Sequence, residues 1–91
     1  MLKISEGKKN KLTLTLQLEG RVVGPWAGEL MKVANALLAD NTKLELDLAE
    51  VSFADEDGVV VLASLSRRGV KLLRPSPFVA EQLKAATAPV V

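Results

Sequence analysis

Ninety-one residues are enough for one domain with one hydrophobic core and leave no room for a second. Apolar residues make up 48% and charged residues 25%, with a net charge of +1, which is the balance of a soluble globular chain rather than a disordered one. Cysteine and histidine are both absent, which excludes disulfides, zinc–thiolate sites, thiol catalysis and any histidine-dependent triad.

The basic residues are spread along the chain, and only Lys8-Lys9 and Arg67-Arg68 are adjacent. They read as a solvated surface, not a nucleic-acid face, and few aromatics are present to stack on bases. Charged residues follow Met1-Leu2-Lys3-Ile4, so no signal peptide is expected. The longest apolar run, Val59 to Ala63, is far too short for a membrane span. A cytoplasmic chain without membrane insertion is the expectation, with residues 1–91 as a single domain.

Leu2-Lys3-Ile4-Ser5 alternates weakly and predicts a short edge strand, and Gly7-Lys8-Lys9-Asn10 predicts a turn. Lys11 to Glu19 alternates throughout, with Leu12, Leu14, Leu16 and Leu18 on one face and Thr13, Thr15 and Gln17 on the other. The two runs form a hairpin, and Gly20 is expected to end the second strand. Pro25 suits a first helical position. Trp26, Leu30, Val33, Leu37 and Leu38 then recur at helical spacing as the apolar stripe, with Trp26 as core packing at the helix entry. Asp40-Asn41 closes this helix. Lys43 to Leu48 alternates again, and Val51 and Phe53 keep the alternation, as expected of a parallel strand after a helical crossover.

At Ala54 the pattern changes to Asp55-Glu56-Asp57-Gly58. The following Val59-Val60-Val61-Leu62-Ala63-Ser64-Leu65-Ser66 has three valines that favour strand, but its flanks favour helix. Asp55 or Asp57 can cap its start, Arg67 and Arg68 suit its last turn, and Gly69 suits the C′ position. A helix is therefore expected. On it Val59, Leu62 and Leu65 face the sheet, Val60 and Ser64 face outward, and Val61 lies on the flank. Val70 to Leu73 is a short strand. Ser76-Pro77 opens a last helix with Phe78, Val79, Leu83 and Ala86 as its stripe, and Thr87 to Val91 is a tail. The order is β-β-α-β-α-β-α, an α/β domain with about four strands in a mixed sheet and three helices.

The acidic run has three readings. The first is an enzyme, because Asp55-Glu56-Asp57-Gly58 after a strand resembles the Asp-x-Asp motif of haloacid-dehalogenase-type phosphatases. Those enzymes need further acidic residues at later strand ends. Past Asp57 this chain has no aspartate and only Glu81, which would leave magnesium under-ligated. No glutamate stands where an EF-hand loop needs one. The second reading is helix capping, for which one carboxylate would suffice. Three adjacent carboxylates repel one another, so stability alone explains them poorly. The third is a recognition surface made by the three acids with the outward residues of the helix. A homodimer could cover the same helix.

In element order the chain resembles the STAS family, the sulfate-transporter and anti-sigma-factor-antagonist domains, over nearly its whole length. The resemblance rests on a strand, then Phe53-Ala54-Asp55-Glu56-Asp57-Gly58-Val59, a helix, Gly69-Val70-Lys71-Leu72, and Ser76-Pro77-Phe78-Val79 at the last helix. It implies a non-catalytic interaction module of bacterial signalling and transcription regulation, with no cofactor and no metal. The expected partner is an anti-sigma factor or a related kinase-like ATPase. The alternative is a small STAS subunit docked on the cytoplasmic ATPase of a transporter complex. In the antagonists the junction reads Asp-Ser-Ser/Thr-Gly, and the hydroxyl residue before the glycine is phosphorylated. Asp55 and Gly58 match that pattern, Asp57 takes the phospho-acceptor position, and Glu56 replaces the other hydroxyl. The partner-binding residues expected on this basis are Asp55, Glu56, Asp57, Gly58, Val60, Val61 and Ser64. Ser52, Ser64 and Ser66 remain as other hydroxyl acceptors and are read first as structural.

Overall fold

The structure is a computed structural model, and it describes residues 2–9 and 13–87. Four strands form one sheet in the order β1-β2-β3-β4: β1 (Leu2–Lys9), β2 (Thr13–Val22), β3 (Lys43–Ala54) and β4 (Lys71–Leu73). β1 is antiparallel to β2, whereas β2, β3 and β4 are parallel. Each parallel strand runs directly into a helix: β2 into α1 (Pro25–Ala39), β3 into α2 (Glu56–Arg67) and β4 into α3 (Pro77–Thr87). All three helices therefore start at the same edge of the sheet, the carboxyl edge where open α/β sheets place their sites.

Alternation along the strands divides the sheet into two faces. Leu14, Leu16, Leu18, Leu44, Leu46 and Leu48 are buried in one core cluster with Leu30 of α1, Leu62 and Leu65 of α2, and Val79 of α3. The other face is polar. There Thr15 lies in register with Glu45 and Glu45 with Lys71, and the Thr15 hydroxyl donates to Glu45 Oε1 at 3.0 Å. The element order, the mixed sheet and the helical crossovers are as the alternation and caps predict.

Several local expectations are corrected. Strand β1 runs on through Lys9 where a turn was expected, with a bulge between Glu6 and Lys9, because ladder pairing to β2 overrides the local turn preference. Asn10, Lys11 and Leu12 lie outside the described residues, as do Met1 and the tail 88–91, whereas Thr87 ends α3. Gly20 does not end β2. It lies inside the strand at φ 106°, beside a register shift against β3. The buried face of α1 is Ala27, Leu30 and Ala34, and Val33, Leu37 and Leu38 are only partly buried. The small alanines let the helix lie close to the sheet, so Trp26 is 39% exposed instead of filling the core.

Phe53 is also displaced from its expected place. β3 carries two extra residues relative to β2, one between the pairs Gln17–Asp47 and Glu19–Glu50, the other between Gly20–Val51 and Arg21–Phe53. Each extra residue flips the alternation. Leu48, Val51 and Ala54 therefore face the core, and Phe53 turns out to 38% exposure. Its ring stacks on Phe78 at the start of α3, with centroids 6.0 Å apart. Phe78, expected in the apolar stripe, is likewise exposed, at 56%. The Ala86 side chain lies outside the described ones.

Candidate functional site at the start of α2

The residues around Asp55 knit two helix starts to one strand end. Asp55 is the N-cap of α2 in extended conformation, and its Oδ1 accepts from the Gly58 amide at 2.8 Å. Its Oδ2 accepts at 2.9 Å from the amide of Gly24, the residue that precedes α1. One carboxylate thus bridges the positive ends of two helices. Gly24 has φ +53°, a conformation that favours glycine, and this aims its amide at Asp55. The Asp55 amide donates to the Val22 carbonyl at the end of β2, at 3.2 Å.

Gly58 completes the lock. A Cβ on this residue would lie 1.9 Å from the Val22 carbonyl oxygen. The first turn of α2 therefore rests directly on β2, and only glycine leaves room. Asp55 and Gly58 face inward and shape the junction. Glu56, Asp57 and Val60 are exposed, Val60 at 58%, while Val61 and Ser64 are partly buried beside them. Leu62 and Leu65 are fully buried and Val59 is partly so, as expected, whereas Ser64, expected to face outward with Val60, is partly buried. Among the described residues no three of His, Cys, Asp and Glu gather as a metal-ligating group.

A groove of about 500 Å³ runs between α2 and α3, lined by Glu56, Val59, Val60, Gln82 and Ala85. Gln82 Nε2 donates to the Ala54 carbonyl at 2.7 Å. Gln82 Oε1 is buried and has no hydrogen-bond partner among the described residues. Nothing in the sequence singles out Gln82, because a glutamine on a helix is ordinarily a surface residue. At the last helix Ser76 caps as its sequence predicts, its hydroxyl accepting from the Val79 amide at 3.2 Å.

A buried carboxylate lies on the polar face. Asp47 is buried, accepts from the Ala49 amide at 3.0 Å and is gripped by both Nε and Nη2 of Arg74. The forked pair holds the end of β4 to β3. Its sequence signal is faint: an aspartate on the polar side of an alternating strand, and an arginine before Pro75.

Both aspartates titrate below the ordinary carboxylate value. For Asp55 the main cause is the Gly58 amide, then that of Gly24, with burial opposing. For Asp47 it is the hydrogen bond from Arg74, again opposed by burial and aided by the Ala49 amide. A carboxyl with a lowered folded-state pKa adds stability above its unfolded pKa and loses it as the pH falls through the folded one. The melting temperature is therefore expected to be insensitive to these groups between pH 5 and 7 and to fall steeply below about pH 4. Asn in Asp55→Asn keeps one acceptor for Gly58 but offers Gly24 an amide in place of an oxygen. The variant should melt about 5–10 °C lower at pH 7 and show a shallower acid limb. Thermal melts of both proteins across pH check this, and an acid limb as steep as that of the parent would contradict the bridging role.

No protein-family model matches the sequence, and no curated protein is significantly similar to it. Solved structures do match. The unphosphorylated anti-sigma factor antagonist SpoIIAA superposes with a TM-score of 0.67 at 18% identity, covering 87% of this chain and 79% of that one. The phosphorylated form of the Bacillus cell fate determinant SpoIIAA gives 0.68 at 16% identity, covering 93% and 84%. A Shewanella loihica PV-4 protein of the DUF3478 family, with a SpoIIAA-like fold, gives 0.59 at 11% identity, covering 93% and 75%. Element order, mixed sheet and superposition agree: the chain has the STAS fold of the anti-sigma factor antagonist SpoIIAA.

Proposed function

We propose that the chain is a non-catalytic protein-interaction module that docks on an anti-sigma factor or a related signalling ATPase through the start of α2. One observation carries this reading: Glu56, Asp57 and Val60 stand exposed on a turn whose neighbours Asp55 and Gly58 are fixed inside the fold. A rigid base under an exposed apolar residue flanked by charge is how a recognition patch is built. The likeness to SpoIIAA, a protein known in unphosphorylated and phosphorylated forms, supports the class of partner.

Asp57 occupies the position that the family phosphorylates. A kinase cannot place a stable phosphoester there, and the carboxylate holds about −1 of charge where a phosphoserine would carry about −1.5 to −2. The charge is therefore permanent and the usual switch is absent. Of the other hydroxyls, Ser52 Oγ donates to the Gly20 carbonyl at 3.4 Å, Ser64 is partly buried and Ser66 is exposed. Incubation with the cognate kinase and ATP, followed by intact-mass analysis, is expected to give no added phosphate. Stoichiometric phosphate on Ser52, Ser64 or Ser66 would contradict the non-switching reading. Copurification from the native cell identifies the partner. A signalling ATPase is expected, and transporter subunits in its place would overturn the partner class.

A further inference from the structure

The edge of the sheet opposite the α2 start carries a second feature, independent of the docking surface. A cleft of about 440 Å³ opens there. Lys43 from the first residue of β3, Lys71 from the first residue of β4 and Arg68 at the end of α2 line it, with Thr13 and Thr42. All three cations are exposed, and none forms an ion pair with the described residues. Among the described residues, Glu45 is the only carboxylate in the lining. It lies in register with Lys71, yet its Oε1 takes the Thr15 hydroxyl instead.

Arg68 is accounted for in part by the fold, because cations belong at a helix C-terminus. Its Nη1 donates to Asn35 Oδ1 of α1 at 2.5 Å, which orients the guanidinium, and its other side-chain donors have no partner among the described residues. The lysines have no such account. They open two adjacent strands on one face, and gathering like charges costs free energy unless an anion joins them. Two ammonium groups, an oriented guanidinium and two threonine hydroxyls match the oxygens of a phosphate dianion. Leu38 and Leu44 line the same cleft and offer an apolar wall to the remainder of a ligand.

We propose that this cleft binds the phosphomonoester group of a small molecule, with Lys43, Lys71 and Arg68 as its anion contacts. The test uses phenyl phosphate as the soluble probe and vesicles containing phosphatidic acid as the lipid-borne form of the same group. Binding is followed by amide chemical shifts and by vesicle flotation. Saturable shifts at residues 42–45 and 68–71 with phenyl phosphate are expected. The double substitution Lys43→Gln, Lys71→Gln should weaken binding at least about tenfold. Glu45→Gln, which keeps an acceptor for Thr15 and removes the opposing charge, should strengthen it several-fold. Asp57→Lys, at the far edge, should leave it unchanged. Shifts that do not saturate, an affinity indifferent to the lysine pair, or binding confined to vesicles would each overturn the proposal.

Discussion

Gly58→Ala is expected to destabilise the protein by about 3 kcal/mol or more. Helix propensity alone predicts the opposite, since alanine is better than glycine within a helix by about 1 kcal/mol. The close approach decides the sign. The new Cβ would meet the Val22 carbonyl oxygen at 1.9 Å, and that atom is backbone, which cannot swing aside like a flexible side chain. The turn could move outward only by stretching the Asp55 amide bond to the same carbonyl and the Asp55 carboxylate bond to Gly24. A chain of 91 residues has roughly 5–14 kcal/mol of total stability, so the loss is a large share of it. Urea denaturation of the variant measures it. A midpoint at or above that of the parent would show that α2 does not rest on β2 as described.

Val60→Asp is expected to weaken partner binding by about 2 kcal/mol, close to 30-fold, with the fold intact. Val60 is 58% exposed, one turn after Glu56 on α2, and borders the groove to α3. A carboxylate there stands four residues after Glu56, and the like-charge pair costs the helix only about 0.2–0.5 kcal/mol. In the docked state it would replace an apolar anchor with a third exposed acid beside Glu56 and Asp57, and burying it without a partner is costly. Stability should stay within about 0.5 kcal/mol of the parent, as for other surface changes. The two readings thus separate: Gly58 acts on folding and Val60 on binding. Equal affinity in parent and Val60→Asp would remove α2 from the interface.

The elements with strong local signals were legible from the residues alone. Four leucines at alternate positions marked β2, Pro25 and Ser76-Pro77 marked two helix starts, and Asp55 with Gly69 bounded α2 despite its three valines. What escaped was set by long-range geometry. The extra residue in β3 between Val51 and Phe53 reverses the alternation there and leaves no local signal, so Phe53, which the pattern groups with Val51, is exposed. Ala27 and Ala34, not Trp26, set how closely α1 approaches the sheet, because a small residue carries no periodic signal as strong as a large one. At the site, the acidic run was visible, but its division of labour was not. Asp55 reaches Gly24, thirty-one residues away in sequence, and Gly58 meets a carbonyl of another strand. Those contacts turn three like acids into one structural bridge and two exposed charges.

The central claim is that Asp57 supplies permanently, at the docking surface, a charge that the resembling family makes conditional. Calorimetric titration of the copurified partner with the parent, Asp57→Asn and Asp57→Lys tests it most directly. Affinity should fall stepwise from parent to Asn to Lys, by at least about tenfold overall, with only a modest stepwise fall in melting temperature as the helix start loses its favourable charge, and with a weaker dependence on salt in the neutral variant. Three equal affinities would contradict it.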